Sequence, residues 1–296
     1  MNRPLIFINL IKYNGEADTV ECIQSLNRLL YDNFRIVLVD NGSTKPISEE
    51  GKSFFEKNCH VIYNDRNSGF AGGNNIGIQY AINEGAELVL LLNNDTTVEP
   101  DFLNVLVEQY ENNKETGALG GRICLYDDKE KIWYGGGHFD PKDGWGRHER
   151  YGEICSGRTE VVREVTFITG CLMLIPKRTV EKIGLLDDSL FLYFEDTDYC
   201  CRIAKAGMKM LYCDDAVIYH KVYGSTSGNN DIRYYYFLRN IPVIIMRYCS
   251  NKFEPFRRYF IFGSKMVLKK LIRARVAMKA FWDFLTKNFG PYSGKN

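Results

Sequence analysis

The segment 191–202, FLYFEDTDYCCR, sets three carboxylates beside aromatic side chains. Glu195 and Asp196 are adjacent and follow four apolar or aromatic residues, and Asp198 stands two positions further on. Clustered acids repel one another, and an apolar wall makes each anion costlier, so their proton affinity rises. A general base needs such a carboxylate, held in a partly dry site. Acids in a first helical turn also favour the helix dipole. Asp198 and Arg202 have the i, i+4 spacing of an ion pair on a helix face, which accounts for Asp198. Glu195 and Asp196 are left as candidate acid–base residues.

Three further stretches carry chemistry. Asp95 closes the apolar run LLNND. A carboxylate at a strand end can hold a divalent cation over a diphosphate, or it can be a turn or N-cap acid. His220 closes VIYH, as a ligand or as a structural histidine. NSGFAGGNN (67–75) follows a strand and opens a helix. Its glycines suit close backbone approach to phosphate at a helix N-terminus, or simply a turn and cap. It matches neither the Walker loop nor G-x-G-x-x-G.

These residues need elements to position them. LIFINLI, FRIVLVD, HVIYND and ELVLLLNND read as strands, with helical spacing between them and after them. Strand–helix repetition implies an α/β fold with a mostly parallel central sheet covered by helices. Ligands then sit beyond the carboxyl ends of the strands, where Asp40 and Asp95 lie. Beyond residue 120, 135–146 reads as a loop and EVTFITGCLMLIP as one strand. KRTVEKIG reads as a helix, and MKMLYCDDAVIYH as one or two strands ending at His220.

A chain of 296 residues with 45% hydrophobic and 25% charged residues folds as one large domain, or one with an appended piece. Residues 247–296 hold 12 Lys+Arg against 2 Asp+Glu, a net +10, which leaves −9 on the remainder. In the tail Val267, Leu271, Ala274, Met278, Phe281 and Leu285 recur at helical spacing, with Lys265, Lys269, Arg273 and Lys279 largely opposite. That is a basic amphipathic helix, packed on the protein or on an anionic surface. The nine cysteines, odd in number and without metal spacing, read as reduced and cytosolic. PLIFINLI is too short to span a membrane, and no apolar run reaches that length.

In chain order, VDNGST, NSGFAGGNN, LLNND, TGCLMLIPKRTVEKIGLLDDSLFLYFEDTDYCCR and AVIYHKVYGS resemble the inverting family 2 glycosyltransferases of the GT-A fold, rhamnosyltransferase-like branch. The likeness covers residues 4 to 240 and leaves the tail outside, so it implies a glycosyltransferase domain at 1–240 and a helical extension at 241–296. It implies that Ile11 to Asn14, including Tyr13, hold the nucleoside together with Asp40, with Arg66 near the base. Gly69, Gly72, Gly73 and Asn74 would lie along the donor. Asp95, after Asn94, matches the last acid of the family's D-x-D motif and would bind Mg²⁺ or Mn²⁺, with His220 completing the metal and diphosphate site. Asp196 matches the catalytic base, and Glu195 would orient the acceptor. There are two departures. The metal motif reads Asn93-Asn94-Asp95, and Lys12 replaces a frequent Asn and is expected to meet phosphate or solvent.

The resemblance further implies transfer of a sugar, with rhamnose from dTDP-rhamnose the leading candidate, to a saccharide acceptor that is lipid-linked, in bacterial cell-surface polysaccharide synthesis. The implied partners are the nucleotide sugar, that acceptor and a membrane surface reached through 241–296, without nucleic acid. The implied location is cytoplasmic, peripheral on the inner face of the cell membrane. Two other functions stay open: a sugar-1-phosphate nucleotidyltransferase, whose basic triphosphate loop is missing near residue 1, and a nucleotide-sugar-binding module without transferase activity. Because the donor residues lie before 221, cutting the chain after Asn251 is expected to spare the donor site.

Overall fold

β1 (Ile6–Lys12), IFINLIK, is buried along almost its whole length, as a strand covered on both faces must be. The computed structural model describes residues 3–142, 144–155, 157, 159–222 and 230–292. The elements that follow are α1 (Glu16–Leu26), β2 (Phe34–Asn41), α2 (Glu49–Asn58), β3 (His60–Asn64), α3 (Gly69–Asn83), β4 (Leu88–Asn93), β5 (Thr96–Val98), α4 (Phe102–Asn112) and β6 (Thr116–Leu125). Then come β7 (Ile132–Tyr134), β8 (Gly137–Asp140), β9 (Trp145–His148), β10 (Val162–Val165), β11 (Leu172–Pro176), α5 (Lys177–Ile183), a 3₁₀ turn (Asp188–Leu190), α6 (Glu195–Lys205) and β12 (Lys209–His220). Three helices close the described chain: α7 (Asn230–Tyr248), α8 (Phe253–Leu268) and α9 (Ala274–Leu285).

The central sheet runs β10-β12-β6-β11-β4-β1-β2-β3. From β12 to β3 the strands are parallel apart from β11, which lies antiparallel between β4 and β6. This is the expected α/β class with a mostly parallel sheet. The carboxyl ends of β1, β2 and β4 therefore meet on one side and carry Lys12, Asp40 and Asn93 in neighbouring registers.

Three local expectations are corrected. EVTFITGCLMLIP is not one strand: β10 and β11 are separate, and the turn between them at Thr169-Gly170 frees backbone N–H groups for other use. The stretch 135–146 is not a plain loop, since it contains β8 and the start of β9, which pair antiparallel. The glycine-rich stretch opens a helix as expected, α3 beginning at Gly69. Cys124 and Cys155 form a disulfide, whereas the other seven cysteines are free.

Two apolar clusters form. The buried members of the larger one, built on the sheet, run from Ile6 to Ile218. The smaller one contains Phe191 and Phe194 together with residues of α7, α8 and α9. The aromatic wall before Glu195 thus packs against the C-terminal helices. α7 runs through the boundary expected at 240/241. Pro242 inside α7 has no N–H to give the carbonyl of Leu238. The hydroxyl of Tyr259 in α8 donates to that carbonyl at 3.0 Å instead.

The tail helix is likewise corrected. The single helix expected across 265–285 breaks between α8 and α9, at Lys270 with φ of 56°. α9 buries Val276, Ala280 and Asp283, while Met278, Trp282 and Leu285 are exposed on one face. Among the described residues no helix is long and apolar enough to cross a membrane.

Candidate active site

A cavity of about 240 Å³ opens beyond the strand ends, lined by Tyr13, Asn14, Gly15, Asp18, Lys45, Asn94 and Asp95. It brings together four of the expected residues, Tyr13, Asn14, Asn94 and Asp95, from just beyond β1 and β4. Asn14 adopts a left-handed φ of 59°, which short amide side chains tolerate. Its Oδ1 accepts from the N–H groups of Thr44 (3.1 Å) and Lys45 (2.9 Å) and so ties β1 to the loop after β2. Asn94 donates to Thr19 Oγ1 of α1 at 2.8 Å.

Lys12 does not point into solvent but is buried and paired within the protein, and this expectation is corrected. It is 1% exposed and donates to Asp40 Oδ2 (2.9 Å) and Ser43 Oγ (3.0 Å). Asp40 Oδ1 accepts from Ser43 N–H at 2.9 Å. Burial alone would raise the Asp40 carboxyl, but the Lys12 and Ser43 hydrogen bonds hold it below the usual aspartate range. Asp40 therefore lies at the strand end expected of it, as one half of a buried ion pair. Arg66 is exposed after β3, with its backbone packed on Gly42.

Asn74 and Gly73 do not lie along an open donor surface. Asn74 is 1% exposed, and its Oδ1 accepts from Asn9 Nδ2 of β1 at 2.8 Å. A Cβ on Gly73 would lie 3.0 Å from Asn41 Nδ2 and 3.2 Å from Ile11 Cγ2. The glycines seat α3 against the sheet, which is the reason for the correction. Gly72 stands over Ser68 in the first turns of the helix. Gly69 differs from these. At φ 75° its Cβ would fall 2.2 Å from the carbonyl oxygen of Phe191, and the next N–H, Phe70, donates to that oxygen at 2.6 Å. Only glycine permits this contact between α3 and the segment before Glu195.

Asp95 Oδ1 lies 3.2 Å from His220 Nε2, and Asn93 Nδ2 is 3.4 Å from the same nitrogen. Burial pushes the Asp95 carboxyl up, but His220 outweighs it and keeps the group below its ordinary value. Trp133 packs edge-on to the His220 ring at 4.7 Å. Among the described residues no cluster of three or more His, Cys, Asp or Glu side chains is gathered for a metal. Mg²⁺ and Mn²⁺ prefer several oxygen ligands. One carboxylate and one imidazole fit such a cation only when another species, such as a diphosphate, supplies the rest. Residues 223–225 of the AVIYHKVYGS motif lie outside the described residues.

The acids of the opening segment head α6. Phe191, Tyr193 and Phe194 have φ of 62°, 66° and 73°. Left-handed backbone at non-glycine residues costs roughly 1–3 kcal/mol each and persists where surroundings over-determine it. Asp198 accepts from Arg202 (2.8 Å), Arg247 (2.8 Å) and Tyr248 (2.6 Å) and is a structural anchor. Asp196 is half-buried. Its Oδ2 accepts from Gly170 N–H (3.1 Å) and its Oδ1 from Thr197 N–H (2.7 Å). Burial raises its carboxyl in spite of these donors. Glu195 is 5% exposed, and its Oε2 has no hydrogen-bond partner among the described residues. Burial first, and the Asp196 charge second, push Glu195 well above the ordinary carboxylate range. A fixed, partly open carboxylate beside a buried acid is suited to accepting a proton.

The model of the glycosyl transferase family 2 matches residues 9–184, more than half of the chain. The chain belongs to glycosyl transferase family 2. It is 25% identical over 256 residues to the dTDP-rhamnosyl transferase RfbF of Shigella flexneri, covering 82% of this chain and 80% of that protein. It is 26% identical over 207 residues to the low-salt glycan biosynthesis hexosyltransferase Agl10 of Haloferax volcanii, covering 70% of this chain and 64% of that one. In fold it is similar to GalNAc-T7 solved with UDP, GalNAc and Mn²⁺, with a TM-score of 0.69 at 16% identity. That likeness covers 97% of this chain, which spans 56% of GalNAc-T7. It is also similar to the mannosyltransferase PcManGT of Pyrobaculum calidifontis in complex with GDP-Man and Mn²⁺, with a TM-score of 0.57 at 14% identity over 97% of this chain and 88% of that one. These GT-A neighbours agree with the expected fold.

Within this family 2 glycosyltransferase, sequence reasoning missed Ser43 and Asn41 at the end of β2. Asn41 Oδ1 gathers Asn64, Ser68 N–H and Ser68 Oγ within 3.1 Å, and Asn41 Nδ2 donates to the Gly69 carbonyl at 2.9 Å. Their signal was the run DNGS directly after an apolar strand. Arg239 and Asn240 were missed as well. An Arg-Asn pair inside the apolar run YYYFLRNIPVII is itself a sign of buried polar partners.

Proposed function

We propose that this family 2 glycosyltransferase moves a sugar from a nucleotide sugar to a hydroxyl of a saccharide acceptor, with inversion at the anomeric carbon. The observation that carries the reading is Asp196. Its carboxylate is pinned by Gly170 and Thr197, half-open, and raised in proton affinity by burial. Asp196 takes the proton of the acceptor hydroxyl as that oxygen bonds to the anomeric carbon. The bond from that carbon to the nucleoside diphosphate breaks with its electron pair, and the diphosphate departs. Glu195 lies beside Asp196 and orients the acceptor. Tyr13, Asn14, Asp40 and Arg66 are assigned to the nucleoside side.

Asp95 and His220 would hold Mg²⁺ or Mn²⁺, with Asn94 beside them. When bound, the cation supplies charge stabilisation for the leaving diphosphate. The donor we favour is dTDP-rhamnose, on the strength of the likeness to RfbF. The acceptor we favour is a lipid-linked saccharide of bacterial cell-surface polysaccharide. The location we favour is the cytoplasmic face of the cell membrane, without nucleic acid as a partner. The +10 tail and the exposed Met278, Trp282 and Leu285 support a peripheral membrane contact within 241–296.

The test is a thermal-shift panel of dTDP-, UDP- and GDP-sugars with Mn²⁺, followed by NMR of the product anomer. A ligand that binds the native state alone raises the melting temperature. We expect dTDP-rhamnose to give the largest shift and the product to be inverted. A retained anomer would overturn the mechanism. Binding of nucleotide sugars without any turnover would favour a binding module.

A further inference from the structure

The segment 189–193 ends in the left-handed turn that delivers Glu195 and Asp196, and α7 meets it with two fully buried polar side chains. Arg239 Nη2 donates to the carbonyls of Leu190 (2.7 Å) and Ser189 (3.4 Å), and Arg239 Nη1 donates to Gly290 O at 2.6 Å. Asn240 Nδ2 lies 2.9, 3.0 and 2.9 Å from the carbonyls of Leu190, Leu192 and Tyr193. Arg239 Nε donates to Asn240 Oδ1 at 2.9 Å, which fixes the amide with its donors toward the turn. Tyr236, one turn back along α7, stacks on Phe191 at 5.2 Å.

Helix docking alone needs only apolar contact. Burying a guanidinium and an amide is costly unless their donors are used. Here they are used on carbonyls that a left-handed turn gathers to one side. On the far side of the same turn, Phe191 O receives Phe70 N–H of α3. The turn is thus held from the C-terminal helices on one side and from α3 on the other.

We propose that Arg239 and Asn240 are positioning residues for sugar transfer. They impose the 190–194 backbone conformation and so set where Glu195 and Asp196 stand. This rests on the transferase reading above. It adds that α7, beyond the matched family region, belongs to the machinery of the acceptor side.

The test uses the full chain with Asn240→Leu, which keeps the branched shape and heavy-atom count and removes both donors, together with Arg239→Met and Arg239→Lys. Hydrogen exchange of the amides in 188–197 is compared with that in β1 and β4. Release of dTDP from dTDP-rhamnose with Mn²⁺ gives kcat and KM, and calorimetry gives the dTDP affinity. Exchange in 188–197 should rise at least about tenfold while β1 and β4 stay unchanged, because local openings are independent of the sheet. kcat should fall about 10- to 100-fold, as expected of a misplaced group, with dTDP affinity kept within about threefold. Arg239→Lys should recover part of the loss, since one of the guanidinium's bonds can be remade. Unchanged exchange in 188–197 overturns the proposal, as does loosened exchange with unchanged kcat. A uniform rise in β1 and β4 also overturns it, since the pair would then be general packing. If the wild type releases no dTDP, the donor assignment fails, and the exchange comparison still decides the clamp.

Discussion

Lys12 Nζ lies 2.9 Å from Asp40 Oδ2, between register partners at the ends of two adjacent parallel strands, with both side chains buried. A buried charge stripped of its partner is strongly destabilising, whereas loss of both partners is far milder. Lys12→Met should therefore cost about 3–5 kcal/mol in denaturant unfolding, and Lys12→Met with Asp40→Asn much less. Equal losses in the single and double variants would show that the two groups are not coupled. The depressed Asp40 carboxyl adds stability that is present above the ordinary aspartate value and lost as pH falls through its folded value. Lys12→Met should flatten that acid limb.

Asp196→Asn should lower turnover about 10²- to 10⁴-fold, the range of a general base, with nucleotide binding retained. The wild-type rate should fall on the acid side at a pH above the ordinary aspartate value, because burial raises this carboxyl. Steady-state kinetics across pH checks both. A variant with more than a tenth of wild-type turnover would move the base elsewhere.

Glu195 is raised by burial and by its neighbour Asp196, so its folded value exceeds its unfolded value. The stability that goes with its protonated form is present below the unfolded value and lost as pH rises through the folded one. Near pH 7 the group is then a cost. Glu195→Gln should raise the melting temperature at about pH 7.5, and the gain should shrink toward about pH 4, near the ordinary glutamate value. An equal gain at both pH values would rule out ionisation as its source.

Asp95→Ala should weaken dTDP binding in Mn²⁺ by about tenfold or more, and His220→Ala should do so less. EDTA should abolish the Mn²⁺-dependent part of binding in the wild type. If chelation changes neither binding nor turnover, the Asp95–His220 pair has no metal to hold.

Replacing Met278, Trp282 and Leu285 together by Ser should reduce co-sedimentation with anionic vesicles while leaving the melting temperature nearly unchanged, since all three are exposed. Added salt should weaken wild-type binding, because basic residues near an anionic surface contribute about 1 kcal/mol each. Wild-type binding that is equal on neutral and anionic vesicles would contradict the charge argument.

The parallel sheet was legible because Ile6, Phe7 and Ile8, with Val37 to Val39, make both faces of their strands apolar. Asp40, Asp95, Glu195 and Asp196 were legible as acids at strand or helix ends. Glycine composition cannot tell a ligand cradle from a tight helix–sheet contact, so Asn74 and Gly73 misled. Lys12 misled because its partner Asp40 is 28 residues away and pairs only once the strands align. The tail misled most. Its spacing marked an amphipathic helix, but the buried face is Val276, Ala280 and Asp283, and Asp283 accepts from Tyr235 of α7 at 2.6 Å. A cut after Asn251 removes these contacts, which bear on the turn before Glu195 and not on the residues expected at the donor site. α9 holds α7, and α7 holds the turn before Glu195.

The membership of the two apolar clusters has a consequence for the order of events in folding. The sheet's buried cluster is complete with Ile218, whereas Phe191 and Phe194 take their neighbours from a cluster that reaches Tyr292. A chain can therefore regain its sheet before the turn at 190–194 is set. On refolding, circular dichroism should recover ahead of turnover, and under mild denaturant turnover should vanish while the sheet still stands. Catalytic competence is then the last property gained and the first one lost.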